Sequence, residues 1–338
     1  MFDNYLQNDS EGQFTRQITN LLCDESSDNA PLVLELIRGG GVNRRLLGYL
    51  FGLSVFHAKK ETAGLAMSLL QQHAGAETLR QAQKLRESVN YYYNESEYFS
   101  KFDNPEFDLF DFILAYKMCA WHRSSGALSG YNLISHQTLN LSQYPFATLS
   151  PGISTLHFIR YIALPAHRLF DFEASIPYLS ALPLESVFIE NTRLEHFPVS
   201  LLRLPTLRTL SIRRGTHRPK QAMQVPENGI FGSESLEKLL IDAYPVEGEA
   251  RLGPFPALRE CVMNRCALTS LDFLKASSGL LVLGARFNRL ESLPAFLSEL
   301  SLLERLELGG NPFKEIQLDL SKLLKMNHLE IGFTHNHG

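Results

Sequence analysis

The sequence predicts an α/β protein in which an all-α N-terminal region precedes a right-handed solenoid with a concave parallel sheet. Three observations predict this architecture. Apolar residues recur at positions 1, 4, 6 and 11 of a short unit, with a polar or small residue at position 9. This unit returns every 22 or 23 residues through most of the second half of the chain. Before residue 130, apolar residues instead have the spacing of amphipathic helices.

The clearest unit is LERLELGGNPF, Leu303 to Phe313. Positions 4 and 6 alternate with polar residues, which indicates a short strand, because side chains of a strand point to opposite faces in turn. Positions 1, 9 and 11 are expected to turn inward where the chain bends. Buried backbone groups need hydrogen-bond partners, so the amide at position 9 is expected to bind neighbouring coils. Asn288 and Asn311 hold this position.

Further copies precede and follow this unit in the same phase. They start at Leu184, Leu207, Leu236, Leu258, Leu280 and Met326. Position 9 holds Thr192, Cys266 and Thr334 in three of them, whereas Gly215 and Tyr244 depart from the pattern. Two degenerate copies come first, one with Leu139, Leu141, Tyr144 and Phe146, the other with Tyr161, Leu164 and Ala166 at positions 1, 4 and 6.

Residues 184–338 resemble leucine-rich repeat proteins, and residues 131–183 resemble them weakly. The return segments FPVSLLRL (197–204) and LPAFLSEL (293–300) match the LPxxLxxL segment that is typical of bacterial and plant-like repeats. The resemblance implies stacked coils that share one core, with the strands on the concave side. We therefore expect a repeat domain at 131–338 after a helical domain at 1–130.

The first 130 residues contain five segments with helical spacing and resemble HEAT-like helix pairs loosely. A further helix is predicted from Glu106 to Arg123. The edge of a solenoid's first coil needs a cover, so the expected role of this region is to cap the repeats. An independent binding role is the alternative.

One step of the repeat, from Leu207 to Leu236, is about 29 residues long instead of 22 or 23, because the segment 216–235 contains an insertion. An irregular loop is expected here, since solenoids admit insertions on one face. The alternative is a contact element that reaches over the concave surface.

Bulk properties exclude several functions. A net charge of -4 gives no basic footprint for nucleic acid, and the longest apolar run is too short to span a membrane. The acidic, polar start does not resemble a secretory signal, so a cytoplasmic protein is expected. No catalytic signature, cofactor motif or zinc-ligand spacing is visible, and His335 and His337 are expected to belong to a solvated tail.

Bacterial effector ubiquitin ligases resemble this arrangement of a helical N-terminus followed by leucine-rich repeats. The resemblance implies a catalytic cysteine in a further helical domain after the repeats. Cys261 and Cys266 instead lie at inward repeat positions. We therefore expect no enzyme activity, and an effector or regulatory subunit that presents a target for catalysis is the alternative function.

Outward residues of the predicted sheet define a candidate binding surface for a protein partner. Apolar Phe188, Leu240 and Val262 occupy the centre of neighbouring coils, and arginines with one aromatic residue occupy a flank, a composition typical of protein interfaces. The candidate site comprises Phe188, Arg213, Arg214, Leu240, Asp242, Val262, Arg265, Arg286 and Phe287. The expected partner is an acidic or amphipathic protein segment, unless the arginines form ordinary ion pairs.

The final predicted strand leaves an unpaired edge near Leu329 and Ile331. We expect either a monomer or a weak homodimer through this C-terminal edge.

Overall fold

The structure, a computed structural model, describes residues 9–24, 27–88, 104–112, 134–135, 137–142, 146–164, 170–190, 194–214 and 221–332. The chain divides into two compact units. We call Met1–Asn140 with Leu149–Phe158 the helical unit, and Leu141–Thr148 with Ile159–Gly338 the repeat unit. The predicted domain bounds of 1–130 and 131–338 therefore differ from this division, which groups residues 134–140 and 149–158 with the helices.

The helical unit contains the five predicted helices. They are α1 (Asp9–Cys23), α2 (Ala30–Gly40), α3 (Arg44–Phe56), α4 (Lys60–His73) and α5 (Ala76–Ser88). Helix α3 is central, because it is buried from Leu46 to Phe56 and contacts α4 and α5. Residues 109–112 are helical, and the rest of the helix predicted to Arg123 lies outside the described residues. Strands β1 (Ile134–Ser135) and β2 (Thr138–Asn140) form an antiparallel pair.

The repeat unit is built on a parallel sheet. Its strands along the chain are β3 (Tyr161–Leu164), β4 (Ser186–Glu190), β5 (Thr209–Arg213), β6 (Met223–Gln224), β7 (Lys238–Asp242), β8 (Val246–Glu247), β9 (Glu260–Asn264), β10 (Val282–Gly284), β11 (Arg305–Glu307) and β12 (His328–Glu330). All except β6 and β8 pair in the order β3-β4-β5-β7-β9-β10-β11-β12. The predicted solenoid of leucine-rich repeats is thereby confirmed.

The strand register confirms the repeat phase. Residues at position 4 pair with each other from strand to strand: Val187, Leu210, Leu239, Cys261, Leu283, Leu306 and Leu329. The predicted register of the copy at Tyr161 is wrong by two residues, because Ile162 pairs with Val187 and takes position 4. A shift of two residues keeps the same side chains inward. Ile162 and Leu164 are accordingly both buried.

Return segments after the strands are mostly short 3-10 helices. They include Val199–Arg203, Asp272–Leu274, Ala295–Glu299 and Leu320–Lys322, and one α-helix, α6 (Phe172–Leu179), precedes β4. The two LPxxLxxL segments provide two of these 3-10 helices. Leu201 and Leu297, at equivalent places in them, are fully buried and close the core opposite the sheet.

The sequence predicted an irregular loop for the insertion. This prediction is wrong from residue 221 onward, where the chain forms a strand. Its strand β6 pairs in parallel with β8 and forms a bridge with His196, so it adds a strand to a second, smaller sheet. Met223 and Val225 are buried there. Residues 215–220 lie outside the described part of the chain. The physical reason for the difference is that Met223 and Val225 give the insertion apolar residues at a strand spacing.

Position 9 has the predicted role. Asn288 Oδ1 accepts hydrogen bonds from the backbone N of Cys266 and of Leu268, and its Nδ2 donates to Met263 O at 2.7 Å. Asn311 Oδ1 accepts from Leu290 N at 3.2 Å, and its Nδ2 donates to Ala285 O. Each amide therefore satisfies backbone groups of the preceding coil.

Candidate binding face

The outward face of the sheet contains a central row of residues that pair across neighbouring strands. From β3 to β10 this row is Ala163, Phe188, Ser211, Leu240, Val262 and Gly284. Phe188, Leu240 and Val262 are half-buried, while Ser211 between the first two is buried. The sequence placed the three apolar residues correctly in one row. The row is an apolar surface that Ser211 interrupts and that the small residues Ala163 and Gly284 flank at its two ends.

A second row lies where the chain leaves the strands. Backbone hydrogen bonds connect its neighbouring coils, with Ala243 N donating to Asn264 O, Arg265 N to Arg286 O, and Phe287 N to Gly309 O. We call Arg214, Ala243, Arg265, Phe287 and Gly310 the flank row. Ala243, Arg265 and Phe287 have φ between 53° and 55°, and Gly310 has φ 79°. Left-handed backbone costs a non-glycine residue about 1 to 2 kcal/mol, so the coil geometry imposes this conformation.

Phe287 is the most unusual member of the flank row. This large apolar side chain is 52% exposed and has φ 53°, although the next coil uses glycine at the same position. Its ring lies against Gly310, where a Cβ atom would overlap it. On the other side the Arg265 guanidinium carbon lies 4.6 Å from the ring centroid, in cation–π geometry. The ring is therefore held in place between two coils and still faces solvent.

The predicted arginines differ in their ion pairs. Arg213 and Arg265 are exposed and Arg214 is half-buried. No ion pair within the described residues includes any of the three, although Glu190 and Asp242 neighbour Arg213 in the strand register. Asp242 is itself exposed. Three cationic groups are thus available to an external anion.

Arg286, in contrast, is engaged within the chain. Its guanidinium contacts Glu330 and lies 3.5 Å from Glu307 Oε2, on the next two strands. Its backbone N donates to Asn264 Oδ1. The sequence grouped Arg286 with the other three arginines, because spacing alone does not reveal which glutamates lie within reach.

The opposite margin of the sheet, where the strands begin, is charge-compensated. Its residues alternate in sign along neighbouring coils: Arg160, Glu185, Arg208, Glu237 and Arg259. Arg160 contacts Glu185, and Arg208 contacts Glu237. Exposed pairs of this kind contribute under about 1 kcal/mol each to stability. The two margins of one sheet therefore differ, because Arg213, Arg214 and Arg265 at the margin where the strands end form no ion pair within the described residues.

The cysteines of the repeat unit do not have the character of nucleophiles. Cys261 and Cys266 are buried free thiols. Burial raises the pKa of the Cys261 thiol strongly and raises the pKa of the Cys266 thiol to about 12. The reactive form of cysteine is the thiolate, so protonated buried thiols are poor nucleophiles. Cys266 Sγ instead donates to Ile241 O and Asn264 O.

The described residues contain neither a group of histidine, cysteine and acidic side chains able to hold a metal ion nor a helix with the length and hydropathy of a membrane span. Cys119, His335 and His337 lie outside that part of the chain.

Comparison with known proteins gives solved structures only, because neither a protein-family model nor a curated protein matches the chain. A leucine-rich repeat protein of Leptospira interrogans has 20% identity and a TM-score of 0.40, covering 58% of this chain and 55% of its own. The leucine-rich repeat domain of the type III effector XopL has 18% identity and a TM-score of 0.41, covering 75% and 93%. Internalin C2 of Listeria monocytogenes has 18% identity and a TM-score of 0.39, covering 59% and 80%.

This chain thus spans about half the length of the Leptospira protein. Its leucine-rich repeat fold follows from the strand register and the buried asparagines described above, since the similarities are distant. The fold combines a helical N-terminal unit with an α/β solenoid.

Proposed function

We propose that this chain is a non-enzymatic protein-binding module that holds an acidic or amphipathic protein segment on the outward face of its sheet. One observation carries the proposal: Phe287 is an exposed aromatic residue in left-handed backbone, held between Gly310 and the Arg265 guanidinium. An exposed aromatic beside unpaired arginines is the composition of interface hot spots.

The charge pattern favours an acidic partner. Arg213, Arg214 and Arg265 lie on the strand-end margin without ion pairs in the described chain, whereas the other margin is compensated. A guanidinium binds a carboxylate through two parallel hydrogen bonds, which gives direction as well as energy. The central row offers Leu240 and Val262 to apolar side chains of the same partner.

The spacing of the flank row defines the segment that would fit. Arg214 and Arg265 are two strand steps apart, which is roughly 10 Å at the usual strand separation. A chain in the polyproline II conformation advances about 3.1 Å per residue with three residues per turn, so two acidic residues three positions apart point to the same side and would face these arginines. An apolar residue one or two positions further would reach Phe287.

The experiment is a binding series with extended peptides that carry two glutamates at separations of one to six residues, followed by a leucine or tyrosine. Fluorescence anisotropy measures affinity for the full chain. Phe287→Gly is the main variant, because glycine accepts the backbone conformation and Gly310 shows that the coil tolerates it. We expect F287G and the pair R213E/R214E each to weaken binding at least tenfold, about 1.4 kcal/mol.

Lys275→Glu is the matched control, since Lys275 is exposed beside the 3-10 helix Asp272–Leu274 and away from the strands. It reverses one charge and is expected to change affinity less than twofold. Equal affinities for F287G, R213E/R214E and K275E would contradict the proposal. An affinity that does not depend on the separation of the two glutamates in the peptide would also contradict it.

Localisation, the alternative function and nucleic-acid binding are considered after this proposal. Cytoplasmic localisation and the alternative role as an effector or regulatory subunit that presents a target for catalysis are untested predictions. The buried, protonated thiols of Cys261 and Cys266 speak against catalysis by these two residues. Nucleic acid remains the weaker partner, given the net charge of -4.

A further inference from the structure

Charged residues at the margin where the strands end alternate in sign from coil to coil. Strands β4, β5, β7 and β9 are neighbours in the sheet. At their ends they carry, in this order, Glu190, Arg213 with Arg214, Asp242, and Arg265. Four successive coils thus present negative, positive, negative and positive charge. We call these residues the charge series.

The acidic members of the charge series are as available as the arginines. Glu190 and Asp242 are exposed, and neither carboxylate forms an ion pair or a hydrogen bond within the described residues. Asp242 pairs in strand register with Arg213, yet no ion pair joins the two side chains. The opposite margin differs, because Glu237 there contacts Arg208. The carboxylate of Asp242 is therefore available to a basic group from outside the chain.

Asp242 lies between the two arginines of the flank row. Arg214 follows β5 and Arg265 follows β9, and β7, which ends at Asp242, is the strand between them. The flank-row residue of this middle coil is Ala243, whose side chain is a methyl group. The charge that this coil presents at the margin is thus the carboxylate of Asp242. A segment that crosses the coils from Arg214 to Arg265 has to pass beside it.

We propose that Asp242 selects the partner, whose segment carries a basic residue between the two acidic residues that face Arg214 and Arg265. The inference rests on the proposed function, because it assumes the acidic segment on the flank row. In a polyproline II segment the first and fourth residues would face the arginines. One strand step of about 4.8 Å then places Asp242 level with the second and third residues of the segment.

A lysine in the middle of the segment suits this position. Its ammonium group ends a flexible four-carbon stem, so it can reach the Asp242 carboxylate without moving the segment away from the arginines. The second and third residues of a polyproline II segment point to different sides. The direction in which the segment runs therefore decides which of the two would hold the lysine.

An alternating charge series discriminates between partners by sign. Complementary charges across an interface attract, whereas like charges suppress wrong partners. Asp242 would repel a segment that is acidic throughout, even though the neighbouring arginines attract it. The same repulsion disfavours a nucleic-acid strand, since every phosphate of its backbone is negative. Asp242 is therefore expected to determine specificity more than affinity.

Replacing Asp242 is expected to leave the fold intact. The side chain is exposed and has no partner among the described residues. Its coil is held through the main chain, where Arg214 N donates to Asp242 O at 3.3 Å, and any residue retains this bond. Substitutions at such surface positions usually change stability little. Effects on binding can therefore be read directly.

The test compares four peptides by fluorescence anisotropy with the full chain. All four have glutamate as the first and fourth residues, followed by a tyrosine. Between the glutamates they carry lysine second, lysine third, two alanines or two glutamates. We expect one lysine peptide to bind about threefold more tightly than the alanine peptide, and the glutamate peptide to bind about threefold more weakly, because exposed charge pairs are weak.

Asp242→Lys should reverse this order. We expect the D242K chain to bind the glutamate peptide about tenfold more tightly than the lysine peptide, whereas the wild-type chain prefers the lysine peptide by about the same factor. Asp242→Asn removes the charge at nearly constant volume and should make the affinities nearly equal. Glu234→Lys is the matched control, since Glu234 is exposed before β7 at the opposite margin, and E234K should keep the wild-type order.

Equal affinities of the wild-type chain for the alanine, lysine and glutamate peptides would overturn this inference. The proposed function would still stand if F287G weakened binding of the alanine peptide. Tightest binding of the glutamate peptide would show attraction by net charge alone and would overturn the inference too. So would an order that D242K leaves unchanged, because selection would then lie at another residue. If none of the four peptides binds, the proposed function fails together with this inference.

Discussion

Two regions of the repeat unit use different residues at position 9 to form hydrogen bonds with buried backbone groups. In the two regular coils that begin at Leu280 and Leu303, a buried asparagine at position 9 binds backbone groups of the preceding coil. In the coil that follows the insertion, Tyr244 holds position 9, and its hydroxyl donates to Leu194 O at 2.8 Å. The comparison shows that the coil requires a satisfied backbone and a filled interior, and that an amide is one way to supply both.

Cys266 is intermediate between these regions. It lies at position 9 like Asn288 and donates from Sγ to Ile241 O at 3.4 Å and to Asn264 O at 3.3 Å. A thiol is a weak donor without the amide's capacity to accept and donate at once. The N–H groups of Cys266 and Leu268 are accordingly satisfied by Asn288 of the next coil.

The largest effect is expected for Asn288→Ala. The substitution leaves the N–H groups of Cys266 and Leu268 and the carbonyl of Met263 without their partner in the core, and we expect a loss of roughly 3 kcal/mol in the free energy of unfolding. Urea denaturation monitored by circular dichroism measures it. Asn264→Ala is the control, since Asn264 is half-buried and accepts one bond from Arg286 N; a loss as large as that of N288A would refute the special role of position 9.

A second prediction compares the two buried cysteines. Cys261→Ser buries a hydroxyl where the thiol has no hydrogen bond among the described residues, and we expect a loss of about 2 kcal/mol. Cys266→Ser retains the acceptors Ile241 O and Asn264 O, so its loss is expected to stay below about 1 kcal/mol. Thermal and urea unfolding of the two variants decide this, and the reverse order would be inconsistent with Cys266 as a position 9 donor.

The smallest effect is expected for Tyr244→Phe. It removes one hydroxyl and keeps the buried ring, so the coil loses the bond to Leu194 O and about 1 kcal/mol of stability. A hydrogen-exchange measurement should show faster exchange around Leu194, 50 residues away in sequence. Tyr178→Phe, on a half-buried tyrosine of α6, is the control. A loss of stability for Y244F as large as the loss for N288A would contradict the distinction between the two regions.

The regular part of the fold could be predicted because every inward position repeats. Leu283 and Leu306 share one template, so the period gives their strand register directly. Asn288 and Asn311 were predictable in the same way. The predicted register of the degenerate copy at Tyr161 differs from the observed register by two residues. Tyr161 and Ala166 match positions 1 and 6 of the template, whereas in the sheet Ile162 takes position 4.

Contacts that depend on distance across coils could not be predicted from spacing. Nothing in the sequence connects Tyr244 with Leu194, or shows that Arg286 reaches Glu330 whereas Arg213 has no ion pair in the described chain. The left-handed backbone of Phe287 had a signal that was missed, because Gly310 stands at the equivalent position one unit later. Aligning the repeats by their glycines would have revealed the strain.

The asparagine contacts give the array a polarity. Asn311 supports Ala285 and Leu290, and Asn288 supports Met263, Cys266 and Leu268, so dependence always runs from an earlier coil to the one after it. Removing the coils that follow a given coil would therefore also destabilise that coil, because it would lose the hydrogen bonds from the next asparagine. A shortened or spliced version of this array should therefore keep one additional coil after any coil that has to remain folded.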